Sequence, residues 1–152
     1  MAVKVRPATA SDAPTIDTLF REFVAFLRTV GDTTDYQFGA TKFLEDGFGP
    51  DPAFRALVAE DGERVIGYLI FSRAYDGEYK KYFYMADLFV SSPYRSFGVG
   101  RQLMDALAEV GRRESVLRIA WSVHKTNTRA IKFYESLDAK IGTETHTMYL
   151  DL

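Results

Sequence analysis

The run Arg95-Ser96-Phe97-Gly98-Val99-Gly100-Arg101 carries the most specific chemistry in this chain. It follows an apolar, aromatic stretch, residues 82–90, that reads as a β-strand, and it reads as a glycine-rich entry into a helix. A helix start presents backbone N–H groups with no intrahelical acceptor, together with the positive end of the helix dipole. Gly98 and Gly100 have no Cβ, so the backbone there can approach an anion closely. Arg95 and Arg101 place positive charge on either side. The pattern suits a pyrophosphate, and hence a nucleotide-like cofactor. Two familiar phosphate loops do not match. There is no Gly-Lys-Ser/Thr ending of the kind a P-loop needs, and Arg95 stands where a dinucleotide fingerprint has its first glycine.

Composition narrows the remaining chemistry. The chain contains no cysteine, which excludes disulfides, thiolate metal sites and a cysteine nucleophile. With two histidines, His124 and His146, and no ligand-spaced cluster, no metal site is expected. Histidine suits proton transfer, but these two read as a loop residue and a residue of the last strand. A formal net charge of -2 gives no basic field for nucleic acid. No apolar run is long enough for a signal peptide or a membrane span, so a cytoplasmic protein is expected. A length of 152 residues is expected to form one domain, spanning residues 1–152.

The elements that must position the loop follow from periodicity. Residues 3–6 alternate as a first strand. Ser11, Asp12 and Pro14 open a helix whose apolar set, Ile16, Leu19, Phe20, Phe23 and Leu27, has helical spacing, and Gly31 ends it. A short helix is expected over residues 41–46. Strands are expected over 54–60 and 64–73, joined at Asp61-Gly62, and over 81–90. A helix over 98–111, a strand over 116–123, a helix over 127–137 and a last strand over 141–150 complete the chain. This order predicts an α+β fold with a mixed sheet and helices on both faces.

Element order and several separated stretches together resemble the GNAT N-acetyltransferase superfamily. The loop Arg95-Ser96-Phe97-Gly98-Val99-Gly100 resembles its acetyl-CoA signature, and Asn127-Thr128-Arg129-Ala130-Ile131-Lys132-Phe133-Tyr134 its second signature. Val5-Arg6-Pro7-Ala8-Thr9-Ala10, Phe43-Leu44-Glu45-Asp46-Gly47-Phe48-Gly49 and Leu57-Val58-Ala59-Glu60 resemble the spermidine/spermine (diamine) acetyltransferases and their bacterial relatives. The resemblance implies a mostly antiparallel sheet of about six to seven strands, splayed between the fourth and fifth. It implies an acetyl-CoA-dependent enzyme that acetylates a small cationic amine directly. A homodimer with the last strand near its interface is also implied. Other readings are a protein or peptide N-acetyltransferase, or a module that binds acetyl-CoA with weak catalysis.

The same resemblance assigns roles. Arg95, Ser96, Phe97, Gly98, Val99, Gly100 and Arg101 would hold the pyrophosphate. The main chain of Leu88, Phe89 and Val90 would pair with the pantetheine arm, and Asn127 would contact that arm or cap its helix. Tyr134 would serve as general acid, although its spacing alone reads as core. The diamine enzymes carry Glu-Asp in the fourth strand where this chain has Ala86-Asp87, which leaves Asp87 as base or as anchor for the substrate cation. Glu22 on the first helix is another candidate base, or else an acid of a solvated helix face, and Asp32, Asp35, Tyr36, Asp76, Glu78 and Asp87 would form an acidic rim for the amine. Asp138 stands where the family has glycine, at a position that needs a positive φ.

Overall fold

Alternating apolar residues place the early strands in one sheet. The computed structural model describes residues 1–152 and divides them into two compact units, Met1–Ser122 and Val123–Leu152. In the first unit, β1 (Val3–Pro7), β2 (Arg55–Asp61), β3 (Arg64–Asp76), β4 (Lys80–Val90) and β5 (Ile119–Ala120) lie side by side in that order. All neighbours are antiparallel except β4 and β5, which are parallel. Residues 56–59 of β2 and 65–71 of β3 are continuously buried, because helices cover both faces of the sheet there.

One face carries α1 (Ala13–Thr29) and α2 (Ala40–Phe48). Asp12 precedes α1 and Pro14 lies in its first turn, where the missing N–H costs no helical bond. Ile16, Leu19 and Phe20 of α1 and Phe43 of α2 pack on Ala56, Val58, Tyr68, Ile70 and Phe89. The opposite face carries α3 (Val99–Arg113). Gly67 lets it close on the sheet: a Cβ there would lie 2.9 Å from the Phe89 carbonyl and 3.5 Å from Leu103 Cδ1.

The register of β3 against β4 changes once. Ile70 pairs with Asp87 but Phe71 pairs with Met85, so Ala86 is an extra residue in β4. In a regular strand, residues 85 and 87 share a face. Here the bulge separates them. Phe83, packed on Phe71 with ring centroids 4.9 Å apart, faces α3, and Met85 follows it. Asp87 and Phe89 turn to the α1 face instead.

β5 pairs with β4 only at Phe83↔Ile119 and Tyr84↔Ala120. β4 then runs on to Val90 without it, which is the splay expected between the fourth and fifth strands. β5 is shorter than the expected 116–123. The residues before it still close α3: the Val116 N–H donates to the Gly111 carbonyl at 2.8 Å, and Ser115 is left-handed at φ 60°.

The second unit contains α4 (Thr128–Glu135), with Asn127 as its N-cap. Asp138 adopts φ 64°, the left-handed conformation expected where the family has glycine. The strand expected over 141–150 does not form, so the sheet has five strands rather than six or seven. Residues 142–147 read Gly-Thr-Glu-Thr-His-Thr and offer no apolar face to bury, and Met148, Tyr149 and Leu150 remain 89%, 87% and 85% exposed. No helix is long and apolar enough to cross a membrane.

Ion pairs fasten the helices of the first unit to the sheet. Arg6 of β1 reaches Asp12 at 2.9 Å and Glu60 of β2 at 2.9 Å, and the Arg6 bond holds the Asp12 carboxyl below its usual range. Glu114, just past α3, accepts from Arg55 of β2 at 2.8 and 3.0 Å and from Arg73 of β3 at 2.6 and 3.2 Å. Those two arginines bring its pKa down to about 2. A carboxyl with a lowered folded pKa stabilises the fold above its unfolded pKa and loses that effect as pH falls through the folded value. Replacing Glu114 by Gln is therefore expected to cost about 1 kcal/mol at pH 7, screened because both arginines are solvated. In urea unfolding, the deficit should shrink steadily as pH is lowered from about 4.5 towards 2.

Candidate active site

The loop between β4 and α3 combines extended and left-handed backbone ahead of the first helical hydrogen bond. After a single 3₁₀ turn, Ser92–Tyr94, Arg95 is extended, Ser96 is left-handed at φ 69°, and Gly98 is left-handed at φ 79°. The first helical bond runs from the Gln102 N–H to the Gly98 carbonyl at 3.0 Å, so the N–H groups of residues 98–101 lie ahead of it. No side chain caps the helix at Gly98, and a Cβ there would meet nothing within 4 Å. Val99 is buried and anchors the first turn, whereas Phe97 is 64% exposed. This open, uncapped cradle fits the pyrophosphate expected from the sequence.

Two side chains brace the loop from the core side. Arg95 donates from Nε to the Val90 carbonyl at 2.9 Å, and its guanidinium lies 5.2 Å from the Phe26 ring and 5.1 Å from the Phe89 ring. Glu22 of α1 accepts from Ser91 Oγ at 3.1 Å and from the Ser92 N–H at 2.9 Å. Its carboxylate is thus committed to the loop rather than lying on a solvated helix face. Leu88, Phe89 and Val90 pair with Leu69, Tyr68 and Gly67 of β3, and their other edge has no β5 partner.

Asp87 projects from the bulge onto the α1 face. It is half-buried, and its one hydrogen bond comes from Tyr68 Oη to Oδ2 at 3.4 Å. Burial pushes its carboxyl up to about 6, against the opposing pull of the Tyr68 bond. Tyr68 is fully buried, and its phenol is raised by that burial and by the Asp87 charge. Sequence reading passed over Tyr68. The available signal was one hydroxyl within the otherwise apolar run Val65-Ile66-Gly67-Tyr68-Leu69-Ile70-Phe71.

The expected acidic rim is only partly present. Asp32 is buried: Oδ1 accepts from the Thr34 N–H at 3.1 Å and Thr34 Oγ1 at 2.7 Å, and Oδ2 accepts from Tyr36 Oη at 2.6 Å with Arg28 Nη1 3.6 Å away. It organises the loop between α1 and α2 and is not a rim acid. Asp76 likewise accepts from the N–H groups of Glu78 and Tyr79 within its own turn. Asp35 is exposed, and with Tyr36 it lines a cleft of about 460 Å³ between α1 and the start of α2. Asp87 is not among the walls of that cleft. Tyr36 links the two regions, since its phenol is raised to about 12 by burial and by Asp32, with a smaller effect from Asp87.

In the second unit, Asn127 is buried and its Oδ1 accepts from the Ala130 N–H at 3.2 Å. The capping role is therefore real and leaves the amide Nδ2 for another acceptor. Tyr134 is half-buried on α4, with its ring 5.3 Å from that of Phe133.

Residues 16–139 match the acetyltransferase (GNAT) family. The chain belongs to this family. As a GNAT acetyltransferase, it is 27% identical to the mouse thialysine N-epsilon-acetyltransferase over 95% of this chain and 88% of that protein. It is 27% identical to the human spermidine/spermine N(1)-acetyltransferase-like protein 1 over 90% of this chain, although it spans only 20% of that longer protein. Among solved structures, an integron cassette protein of V. cholerae superimposes with a TM-score of 0.82 at 25% identity, covering 99% of this chain and 93% of that one. A ribosomal-protein-alanine N-acetyltransferase from Brucella melitensis shares the fold with a TM-score of 0.75 at 18% identity, covering 98% of this chain and 100% of that one.

The cradle of this GNAT enzyme depends on the left-handed Gly98. Because the space beside it is open, Gly98→Ala tests the backbone conformation alone. The variant is expected to lose about 1 to 2 kcal/mol of stability, read as a lower midpoint in denaturant.

Proposed function

We propose that this enzyme moves an acetyl group from acetyl-CoA directly to the primary amine of a small cationic acceptor, a polyamine or a lysine-like amine. The observation that carries this reading is Asp87, a half-buried carboxylate re-aimed by the β4 bulge, beside the splay, with its pKa pushed up to about 6. That value suits a base working near neutrality. The named substrates of related enzymes, thialysine, spermidine/spermine and ornithine, support an acceptor of this class.

Acetyl-CoA, when bound, supplies the thioester. The N–H groups at residues 97–101 would hold its pyrophosphate, with charge from Arg101 and from the braced Arg95. The open edge at Leu88, Phe89 and Val90 and the Asn127 amide would hold its arm. An ammonium has no lone pair, so Asp87 takes a proton from the acceptor, directly or through a water. Tyr134 Oη, an O–H donor, gives a proton to the departing sulfur as the C–S bond breaks, and the second proton shed by the acetylated nitrogen restores the phenol. Asp35 and Tyr36 flank the acceptor side, and Glu22 and Asp32 act by holding the loops in place.

Residues 1–152 act as one domain in this reading, and the enzyme is cytoplasmic. It also forms a homodimer, which exposed Ile141, Met148, Tyr149 and Leu150 would favour. Light scattering at micromolar concentration should give twice the monomer mass, and a monomer there removes the dimer.

The test is thiol release from acetyl-CoA with a panel of polyamines, lysine analogues, aminoglycosides and short peptides. Release is expected with the small cationic amines. Asp87→Asn should lower kcat by at least about 100-fold, and Tyr134→Phe should lower kcat while calorimetric acetyl-CoA affinity stays within about twofold. Release with peptides alone would move the acceptor to proteins. Acetyl-CoA binding with no release from any amine would leave a binding module, a reading favoured only by the missing carboxylate at Ala86.

A further inference from the structure

Tyr68 is placed at cost. It is 0% exposed, in the middle of a strand whose neighbours Ile66, Leu69, Ile70 and Phe71 are all buried and apolar. A phenylalanine would fill the same space without desolvating a hydroxyl. Every buried side-chain polar atom in this structure has a partner, and the partner of this hydroxyl is Asp87 Oδ2 at 3.4 Å. The cross-strand register explains the meeting. Tyr68 pairs with Phe89 and Ile70 with Asp87, so the phenol lies diagonally across β3 and β4 from the carboxylate on the same face. Asp87 is there only because Ala86 is the extra residue of the bulge. The two features that sequence reading missed, the bulge and the buried hydroxyl, therefore meet at one carboxylate.

We propose that Tyr68 is a positioning residue for acetyl transfer: its buried phenol holds Asp87 Oδ2 and leaves Oδ1 as the oxygen that meets the acceptor amine. The inference rests on the assignment of Asp87 as base. A neutral phenol donor favours the ionised carboxylate, so it offsets part of the burial that raises the Asp87 pKa. Tyr68 thus orients the base and lowers the pH limit that its burial imposes. Other groups face this region from each packed element. Tyr36, from the loop after α1, donates to Asp32, and Asp32 is neutralised by Arg28 of α1. Glu22 of α1 is held by Ser91 and Ser92, and the Arg95 guanidinium is held between Phe26 and Phe89. None of these donates to Asp87, which leaves Tyr68 as the side chain that controls it.

The experiment is a carboxyl-carbon NMR titration of aspartate-labelled protein, with the Asp87 signal assigned by its loss in Asp87→Asn. In the unaltered protein its midpoint is expected near 6. In Tyr68→Phe the midpoint should rise by about one pH unit. The acid limb of kcat/KM for the best amine should move up equally, about tenfold in rate below both midpoints. A purely structural tyrosine would lower the rate at all pH values and leave both midpoints unmoved, and that result overturns the proposal. A second measurement does not depend on the folding of Tyr68→Phe. In tyrosine-labelled protein, one Cζ signal should follow the Asp87 midpoint and cease to do so in Asp87→Asn. Absence of any such signal also overturns the proposal. A shifted midpoint in a protein that acetylates no amine would leave the positioning intact and remove the proposed function instead.

Discussion

The extra residue in β4 is the constraint on which the site depends. A strand alternates its side chains strictly, so a carboxylate two residues beyond Met85 should lie in the α3-side core. Ala86 breaks the alternation, and Asp87 turns to the α1 face. The same stretch of β4 parts company with β5, whose pairing stops at Tyr84. One irregularity in a long strand therefore coincides with an open backbone edge and delivers an acid beside it.

The parts around that edge are held by polar bonds rather than by apolar packing alone. Glu22 ties α1 to the start of the loop, and Arg95 ties the loop back to Val90. Asp32 gathers Arg28, Thr34 and Tyr36 into the segment that precedes α2. These carboxylates resemble catalytic candidates by type, but each is occupied by donors of the protein itself. Asp87 differs because it has a single long bond and a burial that disfavours its charge. That burial opposes folding once the carboxyl ionises, and such local cost is characteristic of groups kept for chemistry.

Much of the architecture was legible because it rests on local chemistry. The helical spacing of Ile16, Leu19 and Phe20 gave α1, Asp61-Gly62 gave the β2–β3 turn, and the glycines at 98 and 100 gave the cradle before α3. The positive φ at Asp138 was implied by the family resemblance, which places glycine there. The last strand was misread because a strand exists only where an edge and a buried face receive it. Residues 142–147 are polar throughout and provide no such face. The internal donors that take up Glu22 and Asp32 were illegible for a related reason: residue type shows that an acid is present but not which donors fold onto it.

The sequence by itself determined the order of the helices and of the first five strands, the glycine-rich turn before α3, the absence of cysteine thiols, and the identity of the acids and phenols available. Those properties depend on residue type and short-range spacing, which a linear chain displays directly. Tertiary structure decided which acid is left with a single long internal bond, which face it points to and how readily it ionises. It did so through the register of β4 against β3, the end of β5 pairing at Tyr84, and the burial of Tyr68 beside Asp87. Register, splay and burial are relations between segments distant in the chain, and they come into being only when those segments pack.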